Sequence, residues 1–332
     1  MARRPAMTPP PRRKRHPFRK LLVLVVLLVL VVVAGWFGMD YSLHRVSALV
    51  DYTGRPTQGT GTNWLIIGED SRAGLTDAQK LQLSTGDDSG SRSDTTMLFH
   101  LPEAGGPPTL VSLLRDSYVA IPGHGMNKLN AAYSLGGSAL LARTVEQATG
   151  LRIDHVVQIG FGGLVAVVNA VGGVNLCIPT AMVDPLAGLN LEPGCQTLDG
   201  AQSLAYVRSR ATPQADLERV VHQREFLAAL LDKVTSKRVY LNPFDLVPLL
   251  LDARRAITVD SGDHLLDLIR MAFAMHRTGA SAVVTTTVPV SDTQTVPGLG
   301  SVVDWDPNKA NLLFNALRTG FAVPPSVLSP NP

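Results

Sequence analysis

The sequence predicts an α/β protein, an α-β-α sandwich with a largely mixed central sheet, preceded by one N-terminal transmembrane helix. Three observations predict it. Short apolar runs of strand type interleave with longer amphipathic runs of helical type along most of the chain, the pattern of helices layered on a sheet. One stretch of nineteen uncharged residues, 21–39, stands apart near the N-terminus. The chain of 332 residues is 45% hydrophobic and 17% charged, which suits a folded protein of one large domain or two ordinary ones.

The N-terminal region carries the charge asymmetry. Residues 1–20 hold eight basic residues (Arg3, Arg4, Arg12, Arg13, Lys14, Arg15, Arg19, Lys20) and no acid. The other 22 basic residues face 27 acids, so the rest of the chain carries about −5. The positive overall charge therefore belongs to a topogenic tail and does not point to nucleic acid. LLVLVVLLVLVVVAGWFGM, residues 21–39, spans roughly 28 Å as a helix, close to the hydrocarbon thickness of a bilayer. The basic block before it predicts a cytoplasmic tail, 1–20, and an outward-facing remainder. A cleaved signal peptide is the competing expectation, but its apolar run would be shorter and no A-x-A site follows. Both cysteines, Cys177 and Cys195, fall in the outward part. Thiols oxidise there, and a bridge between them would be worth about 3 kcal/mol in the chain-entropy model. Two free buried thiols are the alternative.

Residues 40–60 read as a stalk, with Gly54, Pro56 and Gly59 and weak periodicity. TNWLIIGE (62–69) reads as a buried strand. The polar loop 70–92 is longer than a connector needs, as site loops are. TTMLFHL (95–101) and TLVSLL (109–114) read as strands, and YVAIPGHG as a short strand ending in a turn. NKLNAAYSLGG and SALLARTVEQATG are two helices punctuated by Gly136–Gly137, with Gly150 as a C-cap. HVVQIG is a strand. FGGLVAVVNAVGG is apolar nearly all round and predicts a buried helix or one lining an apolar cavity. VNLCIP is a strand, and Asp199 N-caps a short helix through Tyr206. ADLERVVHQREFLAALLDKV, PFDLVPLLLDA, GDHLLDLIRMAFAMH and PNKANLLFNALRTG are helices, and SAVVTTTVPV is a strand. The folded domain is expected over 61–322, and the tail 323–332 is expected to be disordered.

Four concentrations of charge could carry chemistry. In RSRATPQADLERVVHQ (208–223), Arg208 and Arg210 alternate as on one face of an extended strand, and Asp216, Arg219 and Gln223 share a helix face. Guanidinium groups fork two donors toward oxyanions, so such a set suits phosphate or pyrophosphate. Asp70 and Arg72 follow the first strand at its carboxyl end, where open α/β sheets bind ligands. Arg92 and Asp94 alternate at the mouth of the next strand, and Arg115 and Asp116 follow the third. Each pair alone reads as structural; three at strand ends point to one site of mixed charge. Carboxylates among arginines make sense with a divalent cation such as Mg²⁺, which takes one or two carboxylates plus phosphate oxygens and water. His222 lies off the Arg219 face, and Glu218, Arg224 and Glu225 read as a solvated face. No GxxxxGK[ST], GxSxG or HExxH occurs, and GHGMNK (123–128) fails as GxGxxG because Lys128 stands at the third glycine.

GEDSR, RSDTTM, LLRDSYVAIPG with KLNAAY, FGGLVAVVNAVGGV, LDGAQSLAYVRSR and DLERVVHQ, in that order, resemble the LytR–CpsA–Psr family of Gram-positive cell-wall enzymes over about residues 62–235. The resemblance implies a phosphotransferase of the cell membrane. It would move a glycopolymer from an undecaprenyl-pyrophosphate carrier to a peptidoglycan hydroxyl on N-acetylmuramic acid. It implies an α/β sandwich with a long apolar pocket, for which the 161–171 helix and the leucine-rich region 245–275 are candidates. Carried onto this chain, Asp70 and Asp94 would bind Mg²⁺. Arg72, Arg92, Arg115, Lys128, Arg208, Arg210, Arg219 and Gln223 would surround the pyrophosphate with Asp216 among them. Arg92, Asp94, Arg115, Arg208, Arg210 and Arg219 would act in the reaction. His222 stands where many members read arginine. The alternatives are a regulatory protein that binds the same lipid and a pyrophosphatase that delivers it to water.

Overall fold

The computed structural model describes residues 17–72, 75–85, 92–103, 106–209, 215–276 and 283–328, which fall into two units, Met1–Ser42 and Leu43–Pro332. In the first, α1 (Pro17–Tyr41) is one continuous helix. Its segment Lys20–Tyr41 has a mean hydropathy of 3.1 and is long and apolar enough to cross a membrane.

The second unit runs, in chain order, through β1 (His44–Val46), β2 (Thr62–Glu69), α2 (Asp77–Gln82), β3 (Ser93–Leu101), β4 (Thr109–Leu113), β5 (Tyr118–Ile121), β6 (Gly125–Lys128) and α3 (Leu129–Thr149). Then come β7 (His155–Gly160), α4 (Phe161–Ala170), β8 (Val174–Ile178), β9 (Met182–Asp184), β10 (Leu189–Leu191), β11 (Gly194–Leu198), α5 (Gly200–Arg208) and α6 (Ala215–Val234). It ends with α7 (Lys237–Leu241), α8 (Pro243–Ala256), β12 (Ile257–Asp260), α9 (Leu265–Met275), β13 (Val284–Thr287), β14 (Val290–Val296), β15 (Gly300–Trp305) and α10 (Pro307–Thr319).

Seven strands form one mixed sheet in the order β1-β12-β7-β2-β3-β4-β13. The pairs β1–β12, β7–β2 and β4–β13 are parallel and the other three antiparallel. The period of two sends Leu65, Ile67, Leu98 and Val111 into a core shared with Leu129, Leu141 and Val145 of α3 and Leu313, Phe314 and Leu317 of α10. Trp64, Met97, Phe99 and Leu110, on the other face, are buried as well. A sheet covered on both faces explains why β2 and β3 read as continuous apolar runs. The kink in α3 falls at Gly136–Gly137, and Gly150, at φ +70°, closes the helix.

α4 is apolar all round because it is packed on two sides. Phe161 and Val168 join a cluster with α5 and β8, whereas Val167 and Val171 meet Val239 and Leu249. Gly163 permits the second contact: a Cβ there would lie 2.4 Å from the Ala256 carbonyl oxygen. β8 and β11 form a separate two-stranded ribbon in which Cys177 and Cys195 face each other and are joined by a disulfide.

Two boundaries differ from expectation. Much of the stretch read as a stalk belongs to the folded unit: β1 is the edge strand of the sheet, and the amides of Ala48 and Leu49 donate to Asp260 at 2.8 Å each. Arg55 pairs with Glu146 at 2.9 Å. A three-residue strand whose partner lies more than 200 residues away leaves no local signal. The segment expected to be disordered begins with a 3₁₀ turn, Pro325–Val327, whose Val327 sits in the main core; residues 329–332 lie outside the described residues.

His155 stacks on Trp64, its register partner in β2, at 4.1 Å and pairs with the buried carboxylate of Asp263. Burial alone would lower the imidazole pKa, but the hydrogen bond and charge of Asp263, with Asp267 and Asp154, outweigh it and raise it. A raised histidine contributes stability that is fully present below about pH 6.5 and lost as pH climbs through the folded value. His155→Gln should therefore cost about 2 kcal/mol in urea unfolding at low pH. The gap should narrow as pH rises; one that widens with pH would contradict the pairing.

Candidate functional site

β2, β4 and β7 finish, and β3 begins, at one edge of the sheet, with Glu69 opposite Gly160 and Leu113 opposite Thr96. The β2–β3 ladder slips there: Gly68 pairs with Thr95 and Glu69 with Ser93, which leaves Asp94 as the extra residue of a bulge. The Asp70 amide donates to the Arg92 carbonyl at 2.8 Å. Gly68 eases this crossing, because a Cβ would crowd the Thr95 side chain at 3.0 Å. The bulge and this bond set Asp70 and Asp94 on adjacent strand ends.

Both aspartates line a cavity of about 580 Å³. Its lining combines polar residues (Asp70, Asp94, Asp184, Arg208, Arg219 and Gln223) with apolar ones (Phe161, Leu164, Val183, Leu204 and Val207). α5 delivers Arg208. Its start is fixed by a capping box, in which Asp199 accepts from the Gln202 amide at 2.8 Å and the Gln202 side chain accepts from the Asp199 amide at 3.1 Å. Gly200 lets α5 lie against α4, since a Cβ would meet the Val165 carbonyl at 2.6 Å. The helix then runs through Arg208, where the sequence suggested an extended Arg-x-Arg segment. Arg210 lies outside the described residues.

The Arg208 guanidinium donates to the carbonyls of Leu83 and Ser84 at 3.1 and 3.2 Å and lies over the Phe161 ring at 4.9 Å. Burial pushes its pKa below the ordinary value; Asp70, Asp94 and Asp184 pull it back up, and Arg72 opposes them. Three carboxylates and a second guanidinium therefore act on one half-buried cation. Arg219, 4% exposed, and Gln223 stand one turn apart on α6, and Gln223 reaches the Val207 carbonyl at 3.4 Å. The expected shared face of Arg219 and Gln223 holds. Asp216 belongs to the same helix, but its side chain lies outside the described residues.

The remaining cations flank the cavity through the carboxylates. Arg72 lies 3.4 Å from Asp70 and donates to the Thr85 carbonyl at 2.7 Å. Arg115 bridges Asp94 at 3.3 Å and Asp116 at 3.1 Å, and Lys128 pairs with Asp116 at 2.9 Å. Burial would raise the Asp116 carboxyl, but Lys128 and Arg115 together hold it below the usual range. Arg92 has an exposed side chain and meets Asp70 through its carbonyl. Asp94 pairs instead with Arg115, because the bulge interrupts the alternation that would have set Arg92 and Asp94 on one face. His222 packs on Tyr206 at 4.6 Å. Arg224 is half-buried rather than solvated, and burial lowers its pKa. Among the described residues none from 245–275 lines the cavity; Leu249 packs instead on the far side of α4.

Two acidic cavity residues escaped the sequence. Asp184, 7% exposed, accepts from the amides of Leu186 and Ala187 at 3.1 and 3.2 Å and from the Ser209 hydroxyl at 3.0 Å. It thus ties the β9–β10 hairpin to the end of α5. Its Asp-Pro dipeptide, a turn signal, was the available cue. Glu69 is held by the Tyr133 hydroxyl, which also lies 2.9 Å from the side-chain carbonyl oxygen of Gln158. No sequence pattern joins those three. Two aspartates at a cavity edge fit a Mg²⁺ ion that completes its shell with phosphate oxygens and water; among the described residues no cluster of three or more His, Cys, Asp or Glu occurs. Asp184→Ala should lower stability by about 2 kcal/mol, as expected for a buried charged acceptor, and Ser209→Ala by less. Equal losses in denaturant titrations would show that the amide bonds carry no weight.

The family model described as the LytR_cpsA_psr family matches residues 44–317. A probable cell wall biosynthesis protein, LcpB, of Corynebacterium glutamicum is 50% identical over 259 residues, covering 78% of this chain and 61% of that protein. The polyisoprenyl-teichoic acid–peptidoglycan teichoic acid transferase TagU of Enterococcus faecalis is 40% identical over 161 residues, 47% of this chain and 52% of that one. The chain thus spans between half and two thirds of the length of these curated relatives. A solved LytR-Csp2A-Psr enzyme from Actinomyces oris has the same fold, with a TM-score of 0.63, 24% identity, and coverage of 83% of this chain and 97% of its own.

Proposed function

The chain belongs to the LytR–CpsA–Psr family, and from that premise we propose that it is a membrane-anchored glycopolymer–peptidoglycan phosphotransferase. The observation that carries this reading is one cavity of mixed lining. Half-buried Arg208, buried Arg219, Asp70 and Asp94 share it with Phe161, Leu164 and Leu204. A diphosphate head with a prenyl tail is a ligand class that needs both kinds of lining. α1 would anchor the protein, with the basic tail cytoplasmic and the folded unit outside, beside a donor that stays in the bilayer.

Phosphoryl transfer depends mainly on positioning and charge stabilisation. Arg208 and Arg219 would grip the diphosphate, while Arg72 and Arg115 hold Asp70 and Asp94 in place. Mg²⁺ bound by Asp70 and Asp94 would neutralise charge on the phosphate oxygens. An acceptor sugar hydroxyl attacks the phosphorus that bears the glycan, and its proton passes to the carboxylate side of the cavity. The bond to the polyprenyl phosphate breaks, and that phosphate leaves with the electron pair. The arginines stabilise the charge that accumulates on it more strongly than they stabilise the ground state. Lys128, Gln223, Asp216, Arg92 and Arg210 complete the implied pyrophosphate set.

Incubating the full chain with a polyprenyl-pyrophosphate-linked glycan, Mg²⁺ and peptidoglycan oligomers should yield a phosphodiester adduct detectable by mass spectrometry. Products formed only with water would identify a pyrophosphatase. Uptake of the lipid without turnover would identify a binding protein. Arg208→Ala or Arg219→Ala should reduce transfer by about 100-fold or more with Tm nearly unchanged. A large Tm loss with normal transfer would make these arginines structural.

A further inference from the structure

The outer face of α7 and α8 is an unusual surface for a chain whose acids outnumber its bases beyond residue 20. Leu241, Phe244, Val247 and Leu251 are 70%, 86%, 49% and 39% exposed. Phe244, Val247 and Leu251 recur at spacings of three and four, so they form one stripe along α8. Single exposed apolar residues are ordinary, but a contiguous stripe marks a contact surface. Exposed Lys237, Arg238 and Arg255 flank it. Of the two acids in the same stretch, Asp245 is bonded to the Asn242 side chain at 2.9 Å.

We propose that this face docks the folded unit on an anionic phospholipid surface, with the aromatic and aliphatic stripe entering the headgroup region and the basic residues meeting lipid phosphates. An apolar face rimmed by Lys and Arg is the chemistry of an interfacial helix, and the net positive charge of 237–256 matches an anionic surface. The same chain carries a helix suited to crossing that bilayer. The inner face of α8 is already committed, since Leu249 is buried against Val167 and Val171 of α4. The opposite side of α4 supplies Phe161 and Leu164 to the cavity. Docking would therefore bring the apolar α4 residues that line the cavity to within about one helix spacing, roughly 10 Å, of the docked helix. The docking contact does not depend on the transfer reaction.

Residues 43–332 contain the whole sheet and the buried clusters on both sides of α4, so the unit can be tested without its anchor. It should co-sediment with phosphatidylcholine vesicles that contain phosphatidylglycerol, and only weakly with phosphatidylcholine alone. Phe244→Ser combined with Val247→Ser should weaken that binding roughly tenfold or more. Lys237→Glu with Arg238→Glu, a pair of exposed changes that keeps the test standing if the first variant folds poorly, should abolish the preference for phosphatidylglycerol. The proposal is overturned if wild-type protein ignores the anionic vesicles or if both variants bind as it does. It is equally overturned if sedimentation equilibrium shows a dimer that the Phe244/Val247 variant dissociates, because the stripe would then be a protein interface.

Discussion

The site is built around one half-buried guanidinium. Arg208 ends α5 against the Leu83–Ser84 turn and over Phe161, partly shielded from water and within the field of three carboxylates. An arginine cannot shed its proton, so where water is partly excluded its surroundings must supply acceptors or negative charge. Two main-chain carbonyls, Asp70, Asp94 and Asp184 do so, and each comes from a different part of the chain.

The scaffold makes that convergence possible through close backbone approaches. Gly68 lets β2 and β3 cross tightly where the ladder slips at Asp94, Gly200 sets α5 on α4, and Gly163 sets α4 on α8. α8 packs on α4, and α4 in turn lines the cavity together with the strand ends that carry Asp70 and Asp94. Lys128, Asp116, Arg115 and Asp94 form a continuous charge relay along that edge, which fixes the carboxylate orientations before any ligand arrives.

Much of this was legible because the signals were local. Strand ends bearing Asp70, Asp94 and Arg115 marked the edge, Asp199 marked the start of α5, Gly136–Gly137 marked the kink, and the spacing of Arg219 and Gln223 marked one helix face. Other features were not, for identifiable reasons. Alternating Arg208 and Arg210 mimic a strand period although α5 continues through Arg208. The bulge that parts Arg92 from Asp94 depends on β2 and leaves no mark in β3 alone. β1 pairs across more than 200 residues. The leucine-rich region 245–275 is a candidate for the apolar pocket from its sequence, but Leu249 packs on the outer side of α4; periodicity reports burial and does not say against what.

A crystal structure of the chain soaked with farnesyl diphosphate and Mg²⁺ would address the central claim most directly. The phosphates should lie between the guanidinium groups of Arg208 and Arg219, with the prenyl chain along Phe161 and Leu164. Phosphates seated elsewhere, or head and tail held in unconnected places, would contradict it.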